Sequence, residues 1–246
     1  MQGHARLDEI TFHTRLHRPG TLVDVGAHDG LITVPLARLP GSRVLAFEPL
    51  PPAMARLRAA LGDAHPNVEC IAAALGDQAG EITLAMPVLD GVAQEQWAST
   101  AKDYAAHLSA RVDVQRFAVP VQRLDDHTIA DLTGLKVDAE GAEYEILRGA
   151  RATLLRCRPV ITLEVEERHR EGSTWSVPAY LDALGYDVLF ELGGAWHPMS
   201  ALDRATMQRA SPDPAVFEAS DPYVFVFYAL PREHAPAMLA RLQAAA

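Results

Sequence analysis

The sequence predicts an α/β protein built on a mostly parallel sheet with helices on both faces. Three observations predict it. Short apolar runs alternate with longer stretches at helical spacing, the pattern of strands joined by crossover helices. Several of those runs are apolar throughout, as in strands covered on two faces. A chain of 246 residues, 49% hydrophobic and 22% charged, is long enough to cover both faces of one sheet. The expected organisation is one domain over 1–246, with an N-terminal helical extension over 1–20 and a small cap or lid insertion over 87–113.

The elements follow in order. Residues 21–25 (TLVDV) form a strand ending at a glycine turn, and 30–39 read as a helix stopped near Pro40-Gly41. Residues 43–47 (RVLAF) are a second buried strand. Pro51 and Pro52 stand where the first turn of a helix over 52–61 tolerates them. Residues 67–72 are a third strand, and 80–86 alternate like an edge or added strand. The cap stretch mixes polar residues with Trp97 and Tyr104, and 116–124 are extended. Residues 134–138 (GLKVD) are another buried strand, followed by a helix over 141–155. Pro159 opens the strand VITLEVE, 177–184 are helical up to Gly185, and 186–191 and 223–229 are strands forming an antiparallel edge. The tail from Arg232 is a helix.

Composition removes some functions. A net charge of −10 argues against a surface that tracks phosphates, so no nucleic-acid partner is expected. No apolar run approaches the roughly 20 residues of a membrane span. Met1–Arg18 is too polar for a signal peptide, and Cys70 and Cys157 sit in apolar stretches as buried thiols. The expected compartment is the cytoplasm. Oligomeric state is not legible.

A sheet of this kind binds its ligand outside the carboxyl ends of its strands. The first constellation there is Asp24-x-Gly26-x-His28-x-Gly30. A glycine after a strand allows a tight turn and close approach of a ligand. With His28 where a second glycine would stand, this is not the three-glycine dinucleotide fingerprint. Glu48 ends the second strand, where a carboxylate accepts bonds from both hydroxyls of an unphosphorylated ribose. Together they leave an adenosine-containing methyl donor or a nicotinamide dinucleotide. The third constellation, Asp138-Ala139-Glu140-Gly141-Ala142-Glu143, places two carboxylates after a buried strand, where either acts as base or orienter. The fourth is Glu164 to His169. Glu164 lies near the site floor, and Glu166 and Glu167 read as solvated surface charges. Asp138, Glu140, Glu164 and His169 also form a conceivable oxygen-rich metal set, although no metal is assigned.

These motifs, in this order, resemble the FkbM family of S-adenosylmethionine-dependent methyltransferases. The matching segments are LVDVGAHDG, VLAFEPLP, IAAALGDQAGEITL, VPVQRLDD, LKVDAEGAEYEILRGA and RPVITLEVE, spanning 22–166. The run KVDAEGAEYEILRGA is the most specific. His28 and Asp29 depart from the family's usual Asn and apolar residue. The resemblance implies a Rossmann-like seven-stranded sheet with an antiparallel last hairpin. It implies S-adenosyl-L-methionine as cofactor and O-methyl transfer to a hydroxyl of a small molecule, sugar or natural product. It places Asp24, Gly26, Ala27, His28 and Gly30 at the donor's methionine part and Glu48 with Pro49 at the ribose. It places Ala74 and Leu75 by the adenine, with Asp77 as a polar contact. Asp138 and Glu140 would face the transferred methyl group, and Trp97, Ser99 and Thr100 the substrate. Glu140 is the expected base or orienter, Asp138 its support and His169 the alternative. Two other classes remain open at this point: an NAD-dependent oxidoreductase and a non-catalytic binding module.

Overall fold

The strand that ends at the glycine turn, β1 (Gly20–Val25), lies inside an eight-stranded sheet. A computed structural model describes residues 3–89, 92–93, 112–208 and 223–244. From β1 the chain moves outward through β2 (Ser42–Phe47) and β3 (Val68–Ile71). It then returns to the other side of β1 with β8 (Leu132–Val137) and β9 (Val160–Glu164). These five strands pair in parallel. The direction of winding therefore reverses between β1 and β8, and the crevice beyond their carboxyl ends is the expected ligand position.

The far side carries β12 (Val226–Pro231), antiparallel to both β9 and β10 (Tyr186–Leu192). This is the antiparallel end that the sequence predicts. An eighth strand, β11 (Ala195–Pro198), extends the predicted seven. It forms because Gly193 and Gly194 both take positive φ (62° and 81°), the geometry of a two-residue hairpin whose twist matches its strands.

Helices cover both faces. Strand alternation sends Val23, Val25, Leu135, Val137, Ile161 and Leu163 to one face. There they pack under α4 (Glu143–Gly149), α5 (Arg151–Cys157) and α6 (Ser173–Ala183). The opposite face packs against α1 (Gly3–Arg15), α2 (Thr33–Ala37), α3 (Pro51–Leu61) and, after a short α7 (Arg204–Met207), α8 (Ala235–Gln243). Phe12 of α1 and Leu16 just after it join Val160, Val226, Tyr228 and Leu242 in this second core. Gly134 makes room for the helix, since a Cβ there would stand 2.9 Å from the His13 ring. No helix among the described residues is long and apolar enough to cross a membrane.

Two predicted helices are shorter or broken. The helix expected over 30–39 is confined to Thr33–Ala37. Pro35 supplies no N–H inside it, and the Ser42 and Asn67 side chains take the carbonyls of Leu36 and Ala37. The helix expected over 141–155 divides at Ala150, whose ψ of 1° leaves the helical region. Gly149, just before the break, presses on the loop after β4 (Ala74–Leu75): a Cβ there would fall 1.9 Å from the Gly76 carbonyl oxygen.

The strands predicted near 80–86 and 116–124 do not join the main sheet. They are β5 (Gly80–Leu89) and β7 (Val112–Gln122), which pair along their whole length. With β4 and β6 (Val92–Ala93) they form a four-stranded sheet of order β4-β7-β5-β6. The rest of the expected cap over 87–113, with Trp97, Ser99 and Thr100, lies outside the described residues.

Gly149→Ala should therefore cost about 1–3 kcal/mol through overpacking against backbone. Gly80→Ala, with nothing within 4 Å of its Cβ, should change stability by less than about 0.5 kcal/mol. Thermal unfolding of the two variants checks the contrast.

Candidate functional site

The turn after β1 is shaped by its own backbone. Gly26 takes φ 74°, and a Cβ there would sit 2.0 Å from the Asp138 carbonyl oxygen. Only glycine fits between the ends of β1 and β8. The N–H groups of Gly26 and Ala27 both donate to the Phe47 carbonyl (3.0 Å each), tying the turn to β2. His28 then adopts φ 49° and Gly30 φ 88°. The histidine holds a left-handed conformation usually left to glycine or asparagine. Its ring is flanked by Asp29 Oδ1 (3.5 Å) and Arg56 Nη2 (3.3 Å).

Glu48 fixes this turn from below. Its Oε2 accepts from the His28 N–H and its Oε1 from the Leu50 N–H, both at 2.8 Å. Burial raises its pKa, and the two N–H bonds oppose the rise. Each carboxylate oxygen has a second lone-pair site. The carboxylate is thus both a staple of the turn and an acceptor for a neighbouring ligand. Pro49 continues the chain from it to Leu50 at the head of α3.

A buried charged group crosses the sheet beside the turn. Asp24, Lys136 and Thr162 occupy one register row on β1, β8 and β9. The Lys136 ammonium donates to the carbonyls of Val25 (3.3 Å) and Gly26 (3.0 Å). It lies 3.5 Å from Asp24 Oδ1 and 3.6 Å from Asp138 Oδ2. Burial acts to lower the lysine pKa, but the carboxylates of Asp24, Asp138, Glu9 and Glu164 outweigh it and raise it. Asp24 also accepts from the Thr33 hydroxyl at 2.6 Å. Glu9, from α1, completes the group and is fully buried. Burial raises its pKa to about 7. Glu9, Lys136, Asp138 and Glu164 line, with the turn at 26–29, a narrow cleft that opens to solvent.

A second cluster stands on the loops after β8 and β9. Glu140 has φ 51°, another left-handed non-glycine residue. Its Oε2 lies 3.0 Å from His169 Nε2, which is 3.5 Å from Glu166 Oε1. Glu166, expected as a solvated surface charge, is buried instead. The burial is compensated by Arg168 on both oxygens (2.6 and 2.7 Å) and by the Tyr223 hydroxyl. Glu167 accepts the N–H groups of Gly172 and Thr174 at the start of α6. Glu143 is also buried, and its Oε1 accepts from Ala139 N (3.1 Å) and Gly141 N (3.0 Å), holding the loop that presents Glu140. Burial raises Glu143 to about 7.

The predicted residues thus separate. Asp24, Gly26, Ala27, His28, Gly30, Glu48 and Asp138 gather at one crevice. Glu140 and His169 form a pair beside it. Leu75 is core, Ala74 packs against Leu50 and Met86 in a neighbouring apolar cluster, and Asp77 pairs with Arg148 at 3.1 Å. The four residues considered for a metal divide between the two clusters. No three His, Cys, Asp or Glu among the described residues converge as a metal set. Sequence reasoning passed over Glu9, Tyr223 and the part played by Lys136. Only the lysine carried a signal, as a lone cation in a buried apolar strand.

Comparison with known proteins fits this geometry to a family. A family model described as "Methyltransferase FkbM domain" matches residues 24–188. The chain is 30% identical over 184 residues to the AMB antimetabolite synthetase AmbE of Pseudomonas aeruginosa, a match covering 62% of this chain and 9% of AmbE. It is 27% identical over 192 residues to methyltransferase sdnD of Sordaria araneosa, covering 68% of this chain and 73% of that protein. Among solved structures, the FkbM methyltransferase of Methylobacillus flagellatus superposes with a TM-score of 0.54 at 16% identity, over 89% of this chain and 47% of that one. SMU.1697c of Streptococcus mutans, in complex with SAH, superposes with a TM-score of 0.51 at 11% identity, over 94% of this chain and 98% of that one. This chain therefore spans less than a tenth of AmbE and about half of the Methylobacillus chain.

The protein belongs to the FkbM methyltransferase family, and the family match supports S-adenosylmethionine as its cofactor. Membership decides between the two cofactors that the turn and Glu48 leave open. The carboxylate-walled cleft beside the turn suits a cationic donor and would repel a pyrophosphate.

Glu143 generates a pH prediction. Its folded pKa is raised, so ionisation destabilises the fold increasingly from about pH 4.5 to 7 and fully above that. Glu143→Gln keeps the Oε1 acceptor without the charge. Its stability relative to wild type should be near zero at pH 4.5 and favourable by on the order of 2–3 kcal/mol at pH 8. Denaturant melts at the two pH values test this.

Proposed function

We propose that this protein transfers a methyl group to a hydroxyl oxygen of a small-molecule or glycan acceptor. The observation that carries the reading is the Glu140–His169 pair at the carboxyl ends of β8 and β9. The donor, when bound, supplies an electrophilic methyl carbon on a sulfonium. A neutral alcohol is a weak nucleophile, so the chain must remove its proton as the new bond forms. Glu140 is the base in this reading. Its side chain is the more exposed member of the pair, 23% against 8% for His169. His169 is a positioning residue, holding one carboxylate oxygen so that the other meets the acceptor. Glu166, itself held by Arg168 and Tyr223, keeps the imidazole from turning away.

On the donor side, Asp24, Gly26, Ala27, His28 and Gly30 would enclose the methionine part. Glu48 and Pro49 would meet the ribose, and Ala74, Leu75 and Asp77 the adenine edge. Asp138 would stand between donor and base. Trp97, Ser99 and Thr100 would contribute to the acceptor wall. AmbE is named an antimetabolite synthetase, which supports an acceptor made by small-molecule assembly.

Glu140→Gln should lower turnover about 100-fold or more while leaving the Kd for S-adenosylhomocysteine within threefold. His169→Gln should lower turnover less and displace the pH–rate profile. Mass spectrometry of a panel of hydroxylated and amine acceptors should show the gain of one methyl on oxygen. Methylation confined to nitrogen would sink the O-methyl reading, and wild-type turnover in Glu140→Gln would remove the base.

A further inference from the structure

The cleft between α1 and the turn holds more carboxyl groups than it has cations to pair with them. Glu9, Asp24, Asp138 and Glu164 surround a single ammonium, that of Lys136. That ammonium is already committed. Its N–H groups face the Val25 and Gly26 carbonyls, and its nearest carboxylates are Asp24 and Asp138. Asp24 has the Thr33 hydroxyl in addition.

Glu9 is left over. It is 0% exposed, and neither of its carboxylate oxygens meets a hydrogen-bond donor. The Thr162 hydroxyl beside it acts to lower its pKa and is shared with His13 Nε2 at 3.1 Å. Yet Glu9 forms part of the wall of the open cleft, facing Glu164 and the Gly26–His28 turn. An unpartnered buried carboxylate costs several kcal/mol unless a cation or a proton joins it. A buried unsatisfied carboxylate, with the half-buried Glu164 carboxylate facing the same opening, calls for a compact cation with several N–H donors. A metal ion is the poorer fit, since no three ligands converge among the described residues.

We propose that Glu9, together with Glu164, binds the α-ammonium of the donor's amino-acid end, making the N-terminal helix α1 part of the donor site. This rests on the placement of the methionine part over the Gly26–His28 turn. An ammonium has three donors and one positive charge, which suit the two Glu9 oxygens and the neighbouring Glu164 carboxylate. Burial keeps Glu9 partly protonated near neutral pH, at a pKa of about 7, so it tolerates the empty cleft and ionises against an arriving cation. The requirement explains a glutamate in the middle of a helix that buries Phe12 on the sheet.

The test is calorimetric titration of the full chain with two ligands: S-adenosylhomocysteine, and 5′-methylthioadenosine, which keeps the adenosine and thioether but lacks the amino acid. Wild type should prefer S-adenosylhomocysteine. Glu9→Gln should weaken that ligand about 10–100-fold and leave methylthioadenosine within twofold. Glu9→Asp should fall between, and Glu164→Gln should act in the same direction. Melting curves should show Glu9→Gln no less stable than wild type. Unchanged S-adenosylhomocysteine affinity in Glu9→Gln, or equal loss for both ligands, would overturn the role of Glu9 alone. A wild type that binds the two ligands equally would overturn the placement of the amino-acid end as well.

Discussion

The buried ammonium of Lys136 is the contact on which the crevice depends. The other buried side chains of strand β8, Leu132, Leu135 and Val137, are apolar. A lysine there is tolerable only because two carbonyls of β1 and its turn, with Asp24 and Asp138, surround its charge. The result is a cross-link between the carboxyl ends of β1 and β8, at the point where the winding reverses. The loops after those strands leave in opposite directions. The lysine keeps their roots together, and Gly26 lets them touch.

Each of the two loops then repeats one device. A non-glycine residue in the left-handed region, His28 or Glu140, turns the chain. A buried glutamate from further along accepts backbone N–H groups and holds the turn. Glu48 takes His28 N and Leu50 N, and Glu143 takes Ala139 N and Gly141 N. Left-handed backbone costs on the order of 1–2 kcal/mol at such residues. Each glutamate offsets that cost while committing only part of its hydrogen-bonding capacity.

Much of this was legible in the sequence. The parallel core strands were, because strands buried on both faces read as unbroken apolar runs. Asp24, Gly26, Glu48 and Asp138 follow such runs, so their convergence was readable from topology alone. Other features depend on contacts between distant segments. Glu166 looks solvated until Arg168 and Tyr223 are seen to cover it. Nothing local marks Glu9 in α1 as a neighbour of Lys136, 127 positions later. The break at Ala150 arises next to Gly149, which presses on Gly76, a contact that no helical periodicity encodes. The eighth strand was missed because Gly193-Gly194 was not read as a hairpin turn.

The ribbon of β5 and β7 fixes the positions of its own chain ends. Its two strands stay in register from Gly80↔Val121 to Leu89↔Val112, with β6 alongside β5 at Val88 and Leu89. Ala93 and Val112 therefore stand about two strand spacings apart, roughly 10 Å, at an address fixed by the ribbon rather than by what joins them. Lengthening a connection between fixed ends costs only about 0.6 kcal/mol per doubling. A change in that length is thus a small entropic cost borne at the end of the ribbon, while the crevice at β1 and β8 is anchored on the other sheet.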